Sequence, residues 1–242
     1  MKISVLSMFP ELFDSYRQSP VFKRAVEREL VEASFLDVKS FAGGSFRHID
    51  DSPFGGGLGM IMRAEPLYKA LQSVRSEKSH VVLLSPKGQP YTQKRARELS
   101  QMEDLIFVCG HYEGIDKRFE NLCDEMTSAG DYVLTGGEIP CMMVMDSIVR
   151  LLDGALRKGA TEDESHENGL LEYPQYTKPS VWRGSEVPPV LLSGNHAEIR
   201  KWKTLSSLLE TRRLRPDLFE KHKLTEEEKN LLKEYDKEQD KN

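Results

Sequence analysis

A turn whose side chains could do chemistry follows an apolar run of strand length. The run 105–109 ends at Gly110, and Tyr112, Glu113 and Asp116 follow before an amphipathic segment begins. In open α/β sheets, ligands bind outside the carboxyl ends of the strands. The sequence therefore predicts a ligand site at this turn.

Two further segments have a similar design. In residues 128–140, glycines bracket a short apolar run and Pro140 follows, as it does at the start of many helices. The apolar run 80–84 also ends in a polar turn, at 85–88. Because the two glycine-bearing loops are close in sequence, we expect them to form one shared pocket.

A long loop at 43–59 interrupts the regular pattern of the chain. Its glycines let the backbone approach a ligand closely, and Arg47, His48, Asp50 and Asp51 place charge beside them. The glycine spacing matches neither a P-loop nor the dinucleotide fingerprint. A mobile linker is the alternative interpretation, and long loops in compact domains are often functional.

The composition bounds what kind of protein this is. The chain has 242 residues, 30% of them charged, and a formal net charge of −5, so any nucleic-acid contact depends on a local basic surface. Cys109, Cys123 and Cys141 lack the close paired spacing of a zinc site or redox motif, which predicts reduced thiols and no metal cluster. No targeting segment or membrane-spanning run is visible. We expect a soluble, cytoplasmic protein that does not associate with a membrane.

Strands and helices alternate through the first two thirds of the chain. Ser19 is a candidate N-cap with Pro20 at the first helical position, and the alternating pattern of 35–41 is typical of a half-exposed strand. Further strands are expected at 3–8, 80–84 and 105–109, and further helices from Pro10, Pro66, Thr92, Arg118 and Pro140. This alternation predicts an α/β fold with a mainly parallel sheet.

The character of the chain changes after residue 156. Residues 157–168 are polar and acidic without periodicity, and we interpret them as an interdomain linker. Ser193 or Asn195 can cap a following helix, and Thr225 can cap a terminal one. Within this region lies the strongest basic grouping of the chain: Arg200, Lys201, Lys203, Arg212, Arg213 and Arg215. Contact with RNA or phosphate and an ordinary solvated helix face are both compatible with it.

Four long motifs now carry a family resemblance: residues 55–60, 110–116, 130–140 and 188–196. Together they resemble the bacterial tRNA (guanine-N1)-methyltransferases that modify position 37, and the resemblance spans almost the whole chain. It implies a SPOUT, trefoil-knot α/β domain over 1–156, a flexible linker over 157–168 and a helical tRNA-binding domain over 169–242. It also implies a homodimer. The knot rests on the resemblance alone, because general topology rules exclude knots.

The same resemblance implies S-adenosylmethionine as cofactor, held by three loops, and a possible dependence on magnesium, for which the sequence gives no ligand set. The cofactor residues carried over are Leu83, Leu84, Ser85, Pro86, Gly110, Tyr112, Glu113, Gly114, Ser128, Ala129, Gly130, Asp131, Tyr132, Val133, Leu134, Gly136, Gly137 and Pro140. The residues expected to contact tRNA are Arg47, His48, Asp50, Gly59, Arg200, Lys201, Arg212 and Arg213.

Methylation at guanine N1 needs a base, because N1 carries a proton that must leave as the methyl arrives. A cation near O6 would stabilise the charge that spreads there. By resemblance, Arg150 matches the arginine given that role. The family base is an Asp directly before a Ser in the linker, and here that position is Glu164, with Asp163 before it. Its position favours Glu164 as the base, and Asp163 is the alternative through a one-residue slip of the loop. A non-catalytic RNA-binding or regulatory protein is the alternative function, and an α/β enzyme for a small phosphorylated ligand is a third.

Overall fold

The computed structural model describes residues 1–43, 48–161 and 164–239. The chain divides into two compact units, Met1–Lys158 and Gly159–Asn242. A five-stranded parallel sheet forms the centre of the first unit, with strand order β2-β1-β6-β5-β7. Its strands are β1 (Lys2–Ser7), β2 (Glu32–Asp37), β5 (Ser79–Pro90), β6 (Asp104–Cys109) and β7 (Glu125–Ser128). The predicted α/β class with a mainly parallel sheet is confirmed.

Strand β6 lies in the middle of the sheet and is buried along its whole length. Its neighbours run parallel on both sides, with Leu6 opposite Val108 and Leu84 opposite Cys109. Because successive side chains of a strand point to opposite faces, β6 contributes Phe107 to one hydrophobic core and Ile106 to the other. A sheet covered on both faces explains why this stretch of sequence is a continuous apolar run.

Helices cover the two faces of the sheet. Residues of α2 and α6 pack in the core that contains Phe107, and residues of α3 pack in the core that contains Ile106. The helices of this unit are α1 (Asp14–Arg17), α2 (Pro20–Glu27), α3 (Ala64–Val74), α4 (Gln93–Ser100), α5 (Lys117–Glu120) and α6 (Glu138–Val149). Short 3₁₀ helices span Pro10–Phe13 and Val38–Phe41.

Two elements differ from the sequence prediction. The strand expected over 35–41 is β2, which starts at Glu32 and ends at Asp37. There the Asp37 carboxylate accepts a hydrogen bond from the Lys39 N–H at 2.9 Å and turns the chain into a 3₁₀ helix. The long loop is also not structureless, because β3 (Asp50–Asp51) within it pairs antiparallel with β4 (Ile61–Met62), which follows it.

The second unit is mainly helical around a small core of Leu170, Leu208 and Leu232. Asn195 caps its longest helix by accepting from the N–H groups of Ala197 and Glu198. Its elements are β8 (Val181–Trp182), β9 (Ser185–Glu186), α7 (Pro189–Leu192), α8 (His196–Leu214), α9 (Pro216–Lys221) and α10 (Glu226–Gln239). None of the helices in the described ranges is both long and apolar enough to cross a membrane.

Candidate active site

A cleft lies at the carboxyl ends of three adjacent strands, β6, β5 and β7. Three loops form around it: 85–88, which bulges out of β5, and 110–116 and 129–137, which follow β6 and β7. This is the edge at which ligands bind in parallel α/β sheets. The cleft is lined by Leu83, Leu84, Ser85, Pro86, Lys87, Gly110, His111, Tyr112, Glu113, Gly114, Ile115, Glu120, Thr127, Ser128, Ala129, Gly130, Tyr132, Val133, Leu134, Thr135, Gly136, Gly137 and Pro140.

All of the residues expected to bind the cofactor line this cleft, with the exception of Asp131, which is exposed outside it. The cleft also includes residues that are absent from the list of expected cofactor residues: Lys87, His111, Ile115, Glu120, Thr127 and Thr135. The structure thus brings three separate stretches of the chain together. Lys87 and Glu120 add charge that the loop motifs alone did not indicate.

The first loop exists because β5 leaves its ladder with β7. Thr127 pairs with Leu84 and again with Gln89, so residues 85–88 bulge out of the sheet. Gly88 then packs directly on the backbone of β7, where an added Cβ would lie 2.5 Å from the carbonyl carbon of Met126. A side chain at Gly88 would therefore displace the loop that forms this wall of the cleft.

The second loop is held in place by the strand β4. The Met62 N–H donates to the Gly114 carbonyl at 2.9 Å, and the Glu113 N–H donates to the Met60 carbonyl at 3.1 Å. Tyr112 and Gly114 both adopt positive φ, at 58° and 128°. A positive φ is unfavourable for tyrosine, so these hydrogen bonds stabilise a conformation that the turn itself disfavours.

The glycine-rich loop reaches the edge of the cleft at two points. A Cβ on Gly59, which has φ of 87°, would lie 2.5 Å from Cγ of Glu113. Burial, and then the carboxylate of Asp50, raise the pKa of the Tyr112 hydroxyl. Asp50 and Gly59, both predicted to contact tRNA, are therefore beside cleft residues. Arg47 lies outside the described residues, and the backbone carbonyl of His48 accepts a hydrogen bond from Arg63 at 3.2 Å.

The third loop, 129–137, contacts the second loop, 110–116, through backbone groups. The Gly137 N–H donates to the Gly110 carbonyl at 2.8 Å, and a Cβ on Gly137 would lie 2.8 Å from Cα of Cys109. Gly136 pairs with His111 in an isolated antiparallel bridge. A Cβ on Gly136 would lie 2.5 Å from the His111 ring. Close packing against backbone therefore requires glycine at Gly137, whatever the ligand, whereas a side chain at Gly136 would meet the side chains of His111 and Glu138.

A buried carboxylate fixes the start of α6 beneath this loop. Glu138 is 3% exposed, and its Oε1 accepts a hydrogen bond from the Ser7 hydroxyl at 2.7 Å. The same hydroxyl accepts from the Phe9 N–H at 2.9 Å. Because a buried charge is costly without partners, this network ties the end of β1 to the helix that borders the cleft.

A second buried carboxylate lies in the wall of the cleft. The Glu120 side chain is only 6% exposed, and it pairs with the ammonium groups of Lys117 at 2.5 Å and Lys87 at 3.7 Å. Both lysines are largely exposed. Because Lys87 also lines the cleft, its ammonium can attract an anionic group of a ligand.

The catalytic candidates lie in different units. Arg150 is the C-cap of α6 in the first unit, and its N–H donates to the Asp146 carbonyl at 3.2 Å. Glu164 begins a turn in the second unit in which its carbonyl accepts from the Glu167 N–H at 3.2 Å. Asp163 lies outside the described residues. The turn continues with Ser165, whose hydroxyl accepts from the N–H of Glu172 at 3.0 Å.

Most of the predicted tRNA-contacting cations of the second unit are in ion pairs. Lys201 pairs with Glu198 at 3.1 Å, Arg213 with Glu210 at 2.7 Å and Arg212 with Asp236 at 3.6 Å. Arg200 is exposed and has no ion-pair partner among the residues that the structure describes. The four cations are therefore unequal candidates for binding a phosphate.

The three cysteines, Cys109, Cys123 and Cys141, are free thiols. Cys109 and Cys141 are fully buried, and burial raises the pKa of the Cys109 thiol and also that of Cys123, the latter to about 12. The Cys109 and Cys123 thiols therefore stay protonated and are poor nucleophiles. In residues 1–43, 48–161 and 164–239, no group of three His, Cys, Asp or Glu side chains could hold a metal ion.

Comparison with known proteins adds to this geometry. Residues 1–221 match the model of the family described as tRNA (Guanine-1)-methyltransferase TrmD. A tRNA (guanine-N(1)-)-methyltransferase of Clostridium botulinum (strain Kyoto / Type A2) is 47% identical over 239 residues, which cover 98% of this chain and 99% of the relative. One of Dehalococcoides mccartyi (strain CBDB1) is 46% identical over 97% of this chain and 96% of the relative.

These matches cover both units of the chain. They confirm the SPOUT, trefoil-knot α/β class expected from the resemblance, with which the parallel sheet agrees. They do not favour a non-catalytic RNA-binding protein, because the relatives named above are methyltransferases. The chain belongs to the tRNA (guanine-1)-methyltransferase TrmD family.

Proposed function

We propose that the protein transfers the methyl group of S-adenosylmethionine to N1 of guanosine 37 in tRNA, beside the anticodon. The observation that carries this proposal is the family match over residues 1–221 together with a cleft built from the three loops that the family resemblance assigns to the cofactor. A tRNA substrate and a methyltransferase reaction follow from the family. The position of the methylated base and the roles of individual residues are our proposals.

The cleft fits S-adenosylmethionine because it offers backbone groups and charge in one place. Gly110, Gly136 and Gly137 expose backbone along its lining, which suits an adenosine group bound by N–H and C=O contacts. Glu113 and Lys87 carry opposite charges on the lining. We assign them to the amino-acid end of the cofactor, which carries an ammonium and a carboxylate.

When bound, S-adenosylmethionine supplies a methyl group on a positively charged sulfonium. Guanine N1 must lose its proton as it accepts that methyl. We assign the role of the general base that accepts this proton to a carboxylate, Glu164 or Asp163. We assign Arg150 to stabilise the negative charge that develops on O6. A longer Glu side chain displaces the carboxylate by roughly a bond length, and misplacement of about 1 Å can cost on the order of a hundredfold in rate.

The proposal extends to partners and conditions. We propose a homodimer, which is supported by Ile139 and Met143, 63% and 41% exposed and one turn apart on α6. We place the reaction in the cytoplasm, where thiols such as those of the free cysteines stay reduced. The magnesium dependence implied by the resemblance has no ligand cluster among the described residues, so no step is assigned to magnesium.

A methyl-transfer assay tests the proposed function. Unmodified tRNA with guanosine at positions 36 and 37 is incubated with the protein and radiolabelled S-adenosylmethionine, and the product nucleoside is identified by mass spectrometry. We expect 1-methylguanosine, and no product when guanosine 37 is replaced by adenosine. Label on another nucleoside would refute the assignment to N1 of guanosine 37. Binding of tRNA without methyl transfer would refute the proposed methyltransferase activity.

A further inference from the structure

The second unit carries an exposed hairpin, none of whose residues is among those that line the cleft. Every residue from 175 to 186 is exposed, and this stretch includes the strands β8 and β9. Trp182 at the centre of the hairpin is 62% exposed, and Val181 beside it is 51% exposed. Tryptophan is highly buried on average in folded proteins, so an ordered tryptophan with this exposure indicates a surface that meets a partner.

The hairpin holds Trp182 in a defined position. Trp182 pairs with Ser185 across the strands, and only Arg183 and Gly184 lie between them. These two residues have φ of 50° and 82°, and positive φ at both positions is the requirement of a tight type I′ turn. One residue further out, the Val187 N–H donates to the Ser180 carbonyl at 2.9 Å. The indole ring is therefore presented by a hydrogen-bonded turn.

One cation contacts this ring, and a second lies nearby in the sequence. The guanidinium carbon of Arg183 lies 5.0 Å from the centre of the Trp182 ring, within the range of a cation–π contact. Lys178 lies four residues before the ring, and Glu186 is the single carboxylate in residues 175–186. Within the described ranges, neither Arg183 nor Lys178 has an ion-pair partner. The surface therefore combines an exposed aromatic ring with cations available for an anionic partner.

Single-stranded RNA has both of the groups that this surface can bind. Its bases stack on aromatic side chains, and its phosphates bind lysine and arginine. We propose that the β8–β9 hairpin is a stacking platform on which Trp182 packs against an unpaired base of the tRNA, while Arg183 and Lys178 contact the neighbouring phosphates. This inference deepens the proposed function and rests on it for the identity of the RNA.

The two tryptophans of the chain allow the contact to be observed directly. Trp202→Phe leaves Trp182 as the only indole, and Trp182→Phe leaves only Trp202, which lies on α8 with its ring 6.3 Å from Tyr176. Titration with unmodified tRNA is expected to quench the emission of Trp202→Phe at saturation. It is expected to quench that of Trp182→Phe much less. Equal quenching in both variants, or none in either, would overturn the stacking contact.

Affinity measurements separate stacking from charge. We expect Trp182→Ala to weaken tRNA binding about tenfold with an unchanged salt dependence, because stacking releases no counterions. Arg183→Gln is expected to weaken binding and to lower the slope of log affinity against log salt by about 1. Cofactor affinity should match that of the wild type in both variants, which controls for folding. Wild-type affinity in Trp182→Ala would overturn the proposal.

Two further results distinguish this inference from its alternatives. If Trp182→Ala dissociates an oligomer in light scattering and thereby loses tRNA affinity, the hairpin is a contact between copies of the chain and the proposal is wrong. If wild-type protein binds tRNA through Trp182 but methylates no tRNA, the proposed function fails while the stacking platform stands. If the wild type methylates tRNA and Trp182→Ala binds it equally well, the platform alone is overturned.

Discussion

Gly110 and Gly137 face each other across one hydrogen bond, but a side chain would meet different surroundings at each. A Cβ on Gly110 would have Ile115 Cδ1 as its nearest neighbour, at 3.5 Å, an ordinary contact. A Cβ on Gly137 would lie 2.8 Å from the backbone of Cys109 and 3.0 Å from the Gly110 nitrogen. Gly110 therefore has room for a small side chain, and Gly137 has none.

This difference gives a matched pair of variants. We expect Gly110→Val to fold normally and to weaken S-adenosylmethionine binding at least tenfold, because the side chain occupies part of the cleft lining. Gly137→Ala should lower the free energy of unfolding by about 1–3 kcal/mol, because overpacking must shift backbone. Calorimetry with the cofactor and urea unfolding measure the two effects. Wild-type cofactor affinity in a folded Gly110→Val would contradict the cofactor assignment of this cleft.

The linker carboxylates can be separated by isosteric substitutions. If Glu164 accepts the N1 proton, Glu164→Gln should reduce the rate of methyl transfer by about 10²–10⁴-fold, because the amide keeps the shape but cannot take up a proton. Cofactor and tRNA affinity should be largely retained, and Asp163→Asn should be mild. Single-turnover kinetics measure this step. The reverse pattern would assign the base to Asp163, and activity that survives both changes would exclude a linker carboxylate.

The pH dependence of the methyl-transfer rate distinguishes the role of the general base from that of the cation near O6. Raising the pH deprotonates N1 in solution, so it should partly restore methyl transfer to the variant that lacks the base. Arg150→Ala should not recover, because its expected defect is loss of charge stabilisation at O6. Rates between pH 7 and pH 9 for both variants test this division. Equal recovery would show that the two roles are wrongly assigned.

The candidate site could be predicted in part, and its residues show why. The loops at 110–116 and 129–137 are visible in sequence because glycines and polar residues follow apolar runs. Glu120 gives no such signal, since its burial depends on the packing of α5 against the sheet and on two lysines. The family resemblance assigns Gly137 to the cofactor, whereas its backbone contact with Cys109 already requires glycine.

At the scale of elements, helix starts were easier to predict than strand ends. Thr92 accepts from the Arg95 N–H at 3.3 Å, and Thr225 and Glu228 exchange two hydrogen bonds as a capping box, because both signals are local. Ser19 occupies the predicted cap position, but its side chain makes no capping hydrogen bond. The bulge in β5 could not be predicted, since it depends on pairing with β7, almost forty residues later.

The one-turn helix α5 depends on its cap, which leads to an acid-dependence prediction. Asp116 accepts from the N–H of Arg118 at 2.9 Å and from its guanidinium at 2.7 and 3.0 Å. This pairing with Arg118 lowers the pKa of Asp116 to about 2. Because the pKa is lowered in the folded state, the ionised carboxylate stabilises the fold above about pH 4, and this contribution is lost as the pH falls towards 2.

Two substitutions separate the charge of Asp116 from its cap. Asp116→Asn keeps a capping oxygen and removes the charge, so it should be less stable than the wild type at pH 5, by at most about 1 kcal/mol because the pair is partly exposed. The difference should vanish near pH 2. Asp116→Ala should be destabilised at both pH values. Urea midpoints measure all three, and a constant difference for Asp116→Asn would exclude the ion pair as its cause.

At the scale of the molecule, the chain separates an α/β unit that carries the cleft from a mainly helical unit. The change of composition near residue 157 predicted such a division, and the contacts divide the chain after Lys158. Composition could not reveal how the basic residues of the second unit are partnered, because each ion pair depends on helical spacing or on a neighbouring helix. Arg212 of α8, for example, pairs with Asp236 of α10.

These ion pairs predict how tRNA binding depends on salt. A carboxylate that pairs with a lysine or arginine partly neutralises its charge, so the paired cation attracts a tRNA phosphate less strongly. Replacing such a cation should therefore change tRNA affinity less than replacing an unpaired one. We expect Arg200→Gln to weaken tRNA binding and to lower the slope of log affinity against log salt by about 1. The matched change Lys201→Gln, beside it on α8, should have a smaller effect, because Lys201 pairs with Glu198 at 3.1 Å. Filter binding between 50 and 300 mM salt measures both slopes, and cofactor affinity serves as the control. Equal slopes in the two variants would show that the Glu198 pair opens when tRNA binds, and an unchanged slope in Arg200→Gln would show that this face of α8 stays in solvent.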